Sequence, residues 1–90
     1  MLKGKTTLIT GSSRGIGKSI LELFASNGSN IIACSKNESP ELIKFYSEIE
    51  HKNNIIIKPY FFDLSDNKIV SEFVKKITSE NKEINILINN

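Results

Sequence analysis

Short apolar segments alternate with amphipathic ones along this chain, and that alternation limits the possible folds more than any other feature. The apolar segments are short and rich in β-branched residues, which is typical of buried strands; they are KTTLIT (5–10), NIIACS (30–35), NIIIKPYFF (54–62) and INILIN (84–89). The segments between them carry apolar residues at helical spacing, over 15–28, 39–52 and 65–80. The order β-α-β-α-β-α-β predicts an α/β fold with a parallel sheet and right-handed crossovers.

Individual residues mark where these elements end. Gly28 can adopt the left-handed conformation, so the first helix is predicted to stop there. Ser39 is the predicted N-cap of the second helix and Pro40 its first residue. Pro59 is predicted near the end of the third strand, because a central proline would remove a ladder hydrogen bond.

The apolar residues at helical spacing identify one side of each helix. They are Ile16, Ile20, Leu23 and Phe24 in the first, Leu42, Tyr46 and Ile49 in the second, and Ile69, Phe73 and Ile77 in the third.

Composition excludes several classes of function. The net charge is only +2, and Arg14 is the single arginine among scattered lysines, which argues against nucleic acid. One cysteine, Cys34, cannot form an internal disulfide, and no Cys/His spacing predicts a metal site. No apolar run is long enough for a signal peptide or a membrane span. We therefore expect a soluble protein of the reducing cytoplasm.

The loop TGSSRGIGKS (10–19) has two possible interpretations. Its ending, Gly17-Lys18-Ser19, resembles a P-loop, which would indicate an ATP or GTP hydrolase. That motif requires its first glycine at position 12, which is occupied by Ser12. Gly11 stands one residue too early, so the spacing disfavours a P-loop.

The alternative is a loop that binds a dinucleotide. Gly11 would allow a sharp turn after the first strand, Gly15 a close approach of backbone to a pyrophosphate, and Gly17 tight packing of the helix against the strands. The start of the helix, from Gly15 to Lys18, would offer amide groups and the positive end of its dipole to the anion.

Three motifs in order make the chain resemble the short-chain dehydrogenase/reductase family. They are TGSSRGIG after the first strand, DLSD (63–66) after the third and ILINN (86–90) after the fourth. The first is close in wording to bacterial 3-oxoacyl-[acyl carrier protein] reductases. The resemblance implies a doubly wound, Rossmann-type sheet of strand order 3-2-1-4, with residues 1–90 forming its NADP-binding segment, cut after the fourth strand.

The resemblance also implies roles for individual residues. Asp63 would accept a hydrogen bond from the adenine amino group, the backbone of Leu64 would complete that contact, and Asn89 would tie neighbouring strands together. The full set of predicted cofactor-binding residues is Gly11, Ser13, Arg14, Gly15, Ile16, Gly17, Ser35, Lys36, Asp63, Leu64 and Asn90.

The end of the second strand predicts which nicotinamide cofactor is bound. An NAD-binding fold places an acid there for the ribose hydroxyl. Here the segment carries Ser35 and Lys36, with no acid before Glu38. Lys36 and Arg14 would both attract a 2′-phosphate, so we predict NADP(H).

The family transfers a hydride between nicotinamide and a carbonyl group, with a Tyr-x-x-x-Lys pair as the proton source. Tyr46 and Tyr60 are followed four residues later by Glu50 and Leu64, so neither begins such a pair. The resemblance therefore places the catalytic residues beyond Asn90, in a longer reductase of a small carbonyl or acyl-thioester substrate that forms dimers or tetramers. A non-catalytic dinucleotide sensor remains the other possibility.

Overall fold

The computed structural model describes all residues 1–90 and contains four strands and three helices. Their bounds are β1 (Thr6–Thr10), α1 (Gly15–Ser26), β2 (Asn30–Ser35), α2 (Pro40–Asn53), β3 (Ile57–Phe61), α3 (Asn67–Glu80) and β4 (Ile86–Ile88). The predicted order of elements is confirmed. β3 and β4 are shorter than the apolar segments from which they were predicted.

All four strands pair in parallel in the order β3-β2-β1-β4, as predicted. The register aligns Leu8 of β1 with Ile32 of β2 and Leu87 of β4. Because neighbours in register point to the same face, each face of the sheet carries its own set of side chains. The carboxyl ends of all four strands meet at one edge.

α1 lies close to the sheet and ends as predicted. Gly28 has φ +92, and the amide of Ser29 donates to the carbonyl of Phe24, which closes the last turn. Its buried residues differ from the predicted stripe: Leu21 and Ala25 are fully buried, whereas Leu23 is 59% exposed. α1 therefore contacts the sheet through Leu21 and the small residue Ala25. The spacing of apolar residues alone did not show which side of the helix is buried.

α2 confirms both its predicted start and its predicted apolar stripe. Ser39 Oγ accepts from the amide of Leu42, and Pro40 is the first helical residue. The stripe residues Leu42, Tyr46 and Ile49 are all buried. The helix is capped at its C-terminal end by Asn54, which adopts the left-handed conformation with φ 54.

Pro59 lies in the middle of β3, so its predicted position near the strand end is wrong. β3 is an edge strand, and the Ile56 carbonyl and the Phe62 amide both bond to β2. In a parallel strand, the backbone N–H and C=O groups of successive residues point alternately towards one neighbouring strand and away from it. Because the backbone of Ile56 and Phe62 points towards β2, the nitrogen of Pro59 points away from it. No ladder hydrogen bond is lost there.

α3 begins at an aspartate. Asp66 Oδ1 accepts from the amides of Lys68 and Ile69, one residue later than the predicted start of this segment. On its inner side Ile77 is buried, while Ile69 and Phe73 are half-buried. No helix of the chain combines the length and the apolar character needed to cross a membrane.

Candidate nucleotide site

A cavity of about 380 Å³ lies at the carboxyl ends of the strands. It is lined by Gly11, Ser13, Arg14, Ser35, Lys36, Phe62, Asp63, Leu64 and Asn90. Every residue of this set except Phe62 was predicted from the sequence to contact a cofactor. The parallel topology therefore gathers residues from four separate segments, because each of those segments follows a strand.

The glycine loop brings the start of α1 against the end of β1. Gly11 and Gly15 have φ values of 63 and 61, which side-chain-bearing residues rarely adopt. A Cβ atom at Gly17 would collide with the carbonyl oxygen of Gly11 and lie 2.8 Å from Asn90 Nδ2. Only glycine at position 17 allows this approach.

The same loop leaves a run of amide groups without acceptors in the protein. No amide from Ser13 to Gly17 donates to another group of the chain, and the N-cap residue Arg14 makes no side-chain cap. Gly15, Ile16 and Gly17 do not line the cavity itself; they form the first turn beside it, with Ile16 70% exposed. Free amides at a helix start form a binding site for an anion such as a pyrophosphate.

The two asparagines at the end of β4 fasten this loop from the other side. Thr10 Oγ1 donates to Asn89 Oδ1 at 3.1 Å, which links the ends of β1 and β4 as the resemblance implied. Thr10 Oγ1 also accepts from the Asn90 amide at 3.0 Å, and Asn90 Nδ2 donates to the Gly11 carbonyl at 3.3 Å.

Asp63 is held in one orientation at the rim of the cavity. Its Oδ1 accepts from both the amide and the hydroxyl of Ser65, at 2.9 and 2.7 Å. These bonds, with a smaller contribution from the nearby Lys36 ammonium, lower the pKa of the Asp63 carboxyl. Asp63 Oδ2 lies 3.9 Å from Lys36 Nζ, a pairing that the sequence did not indicate.

A second depression of about 330 Å³ adjoins the first and shares Ser13, Arg14 and Lys36 with it. Its other lining residues are Asn37, Ser39 and Leu42. No carboxylate lines it, because Glu38 instead faces a broad hollow along the outer side of α2. Two cations and several neutral donors, without an acid, suit a phosphate group.

A buried hydroxyl chain beneath the loop was missed in the sequence. Tyr46 OH lies 3.0 Å from Ser12 Oγ, and Ser12 Oγ in turn donates to the Cys34 carbonyl at 3.3 Å. Ser35 Oγ is buried at the edge of the cavity and has no hydrogen-bond partner. A tyrosine in an otherwise apolar stripe was the available signal, since a buried phenol requires a partner.

The ammonium group of Lys18 lies 4.3 Å from the centre of the Phe45 ring, which joins the first turn of α1 to α2. Because the two residues are far apart in the chain, no local pattern could have indicated this contact.

The residues present fit a bound dinucleotide. A Cβ at Gly15 would meet no protein atom, so the backbone there is open to a ligand, and the unpartnered hydroxyl of Ser35 can donate to a ligand in the cavity.

Proteins of known class share both the sequence and the shape of this chain. A family model described as short chain dehydrogenase matches residues 5–90. The 3-oxoacyl-[acyl-carrier-protein] reductase of Thermotoga maritima is 35% identical over 91 residues, covering 99% of this chain and 35% of its own length. Human retinol dehydrogenase 12 is 36% identical over 90 residues, covering 99% of this chain and 28% of its own length.

Among solved structures, L-sorbose reductase from Gluconobacter frateurii, complexed with NADPH and L-sorbose, superposes with a TM-score of 0.86. It is 29% identical and covers 99% of this chain and 34% of its own.

The fold thus defines an α/β protein with a Rossmann-type parallel sheet, whose strand ends surround the cavity. The chain belongs to the short chain dehydrogenase family. Membership of this family favours the dinucleotide interpretation of the glycine loop over a P-loop. The chain spans about a third of the length of the curated relatives it matches.

Proposed function

We propose that this chain is the cofactor-binding segment of an NADPH-dependent carbonyl reductase. The observation that carries the proposal is the second depression, which is lined by Arg14 and Lys36 and by no carboxylate; Asp63, the partner of Lys36, lines the first cavity instead. A 2′-phosphate there would meet two cations, whereas the ribose hydroxyl of NADH would meet no acid to accept its hydrogen bond. The NADPH complex of L-sorbose reductase supports the same choice.

The proposed cofactor contacts follow from the position of each residue. The loop amides and the start of α1 bind the pyrophosphate, Ser35 and Lys36 face the adenosine ribose, and Asp63 Oδ2 accepts from the adenine amino group. When bound, NADPH supplies the hydride that reduces a carbonyl carbon. The residues that protonate the carbonyl oxygen lie outside residues 1–90 in this proposal, so the chain alone is inactive.

For the substrate we propose a 3-oxoacyl thioester. The wording of the glycine loop and the Thermotoga reductase support this class. A retinol dehydrogenase and a sorbose reductase are similarly related to the chain, so turnover must be compared on a 3-oxoacyl thioester, a retinoid and a keto sugar. We propose that the whole enzyme is a homodimer or homotetramer.

The substitution Lys36→Asp in the full-length enzyme tests the cofactor assignment. A carboxylate here would repel the 2′-phosphate and accept from the 2′-hydroxyl, so the ratio of kcat/KM for NADPH over NADH should fall by about tenfold or more. The matched control is Lys75→Asp on the exposed side of α3, which makes the same charge change away from the site.

An unchanged ratio in Lys36→Asp would refute the assignment to NADPH. A wild-type protein that binds NADPH but reduces none of the three substrates would instead favour the dinucleotide sensor. Binding is followed directly by the fluorescence of the nicotinamide, so it is measured independently of turnover.

A further inference from the structure

The hydroxyl chain under the glycine loop connects α2 to the nucleotide site. Tyr46 is 3% exposed and Ser12 is fully buried, so their contact is shielded from water. Both the amide and the hydroxyl of Ser12 donate to the Cys34 carbonyl, each at 3.3 Å. Ser12 is therefore turned inward, and it anchors the loop to the end of β2.

The direction of the hydrogen bonds follows from the number of donors. A serine hydroxyl has a single hydrogen, and that of Ser12 is used on the Cys34 carbonyl. Tyr46 must then donate to Ser12 Oγ. Ser35 Oγ has no hydrogen-bond partner, so it does not take part in this chain of hydrogen bonds.

We propose that Tyr46 is a positioning residue for the cofactor: its phenol holds Ser12, and through Ser12 it sets the shape of the glycine loop that binds the pyrophosphate. This inference rests on the proposed dinucleotide function. Tyr46 touches no part of the cavity, so it acts only through its neighbours.

The second buried tyrosine provides a matched control. Tyr60 is 7% exposed, and its phenol donates to Glu80 at 2.6 Å and accepts from Asn81 at 3.1 Å. These contacts join β3 to the C-terminal end of α3, away from the nucleotide cavity. Tyr60→Phe thus removes a hydrogen-bonded buried phenol without touching the glycine loop.

The experiment measures the Kd for NADPH and the urea midpoint of full-length protein. The variants are wild type, Tyr46→Phe, Ser12→Ala, the double variant and Tyr60→Phe. Tyr46→Phe should raise the Kd by about three- to tenfold, the factor that one hydrogen bond is worth. The Kd of the double variant for NADPH should be no higher than that of the single variant that binds NADPH more weakly, because both substitutions remove the same contact. Tyr60→Phe should lower the urea midpoint and leave the Kd unchanged.

The inference is overturned if wild type binds NADPH and Tyr46→Phe binds it equally well. It is also overturned if the two single effects multiply, or if Tyr60→Phe weakens binding to the same degree. Should Tyr46→Phe fail to fold, Ser12→Ala decides by its own Kd. A wild-type protein that binds no NADPH refutes the proposed function itself, and this inference with it.

Discussion

The two faces of the sheet are covered unequally. On one face α1 and α2 enclose a cluster of nine buried residues, among them Leu21, Ile31 and Tyr46. On the other face α3 alone covers a cluster of five, which includes Ile32, Cys34 and Ile77. We call these the two-helix face and the one-helix face. The strands supply similar apolar residues to both faces. The number of buried residues on each face therefore depends on how many helices cover it.

β4 shows the difference within a single strand. Ile88 points to the two-helix face and packs against its cluster, whereas Leu87, one residue earlier, points to the one-helix face and is 66% exposed. Both are apolar, as expected of a strand that is covered on both sides. Their sequence is thus suited to two covered faces, and only one of them is covered in residues 1–90.

The largest expected effect is the loss of a side chain from the two-helix face. Leu21→Ala should lower the free energy of unfolding by about 2–5 kcal/mol, because it removes fully buried methyl groups and leaves a cavity. Ile69→Ala on the half-buried side of α3 should lose less than half as much. Urea unfolding measures both, and Leu23→Ala, at an exposed position of α1, is the control. Equal losses at Leu21 and Ile69 would contradict the comparison.

An alkaline pH series tests whether the one-helix face is dry at its centre. Burial raises the pKa of Cys34 to about 11 from its ordinary value of 9.0. The unfolded chain therefore loses this proton first, and the free energy of unfolding should fall between pH 9 and 11. The full loss is about 2–3 kcal/mol, at about 1.4 kcal/mol per pH unit.

The control for this series is Cys34→Ala. Burial also raises the pKa of Tyr46 and Tyr60, so some loss of stability persists in the variant. Its stability should nevertheless fall less steeply with pH than that of wild type. Parallel curves from pH 8 upwards would mean that water already reaches the thiol.

The smallest expected effect on stability is at Leu87. Leu87→Ser should change the free energy of unfolding by less than about 0.5 kcal/mol, since the side chain is already exposed. It should, however, reduce self-association of the 90-residue chain, which sedimentation over a concentration series would show. Ile88→Ser, on the two-helix face, should instead destabilise the fold. A wild-type chain that stays monomeric and melts cooperatively would refute the expected association.

Local signals predicted most of the framework. Ser39 and Pro40 marked the start of α2, and the left-handed conformation of Gly28 follows from its place after α1. The predicted position of Pro59 was wrong because the prediction considered the strand alone. A proline is tolerated in the middle of β3 because β3 is an edge strand. Most of the candidate site was also predictable, since its residues follow strands and parallel topology brings strand ends together.

The sequence by itself determined the order of elements, the family, and most of the residues that surround the cavity, because periodicity, capping residues and motifs act over short distances along the chain. Only the tertiary structure decided which apolar residues are covered and which polar groups meet. The hydrogen bond between Tyr46 and Ser12 and the ion pair between Lys36 and Asp63 join residues 34 and 27 positions apart. Such contacts depend on how helices and strand ends come together in space, which no local pattern encodes.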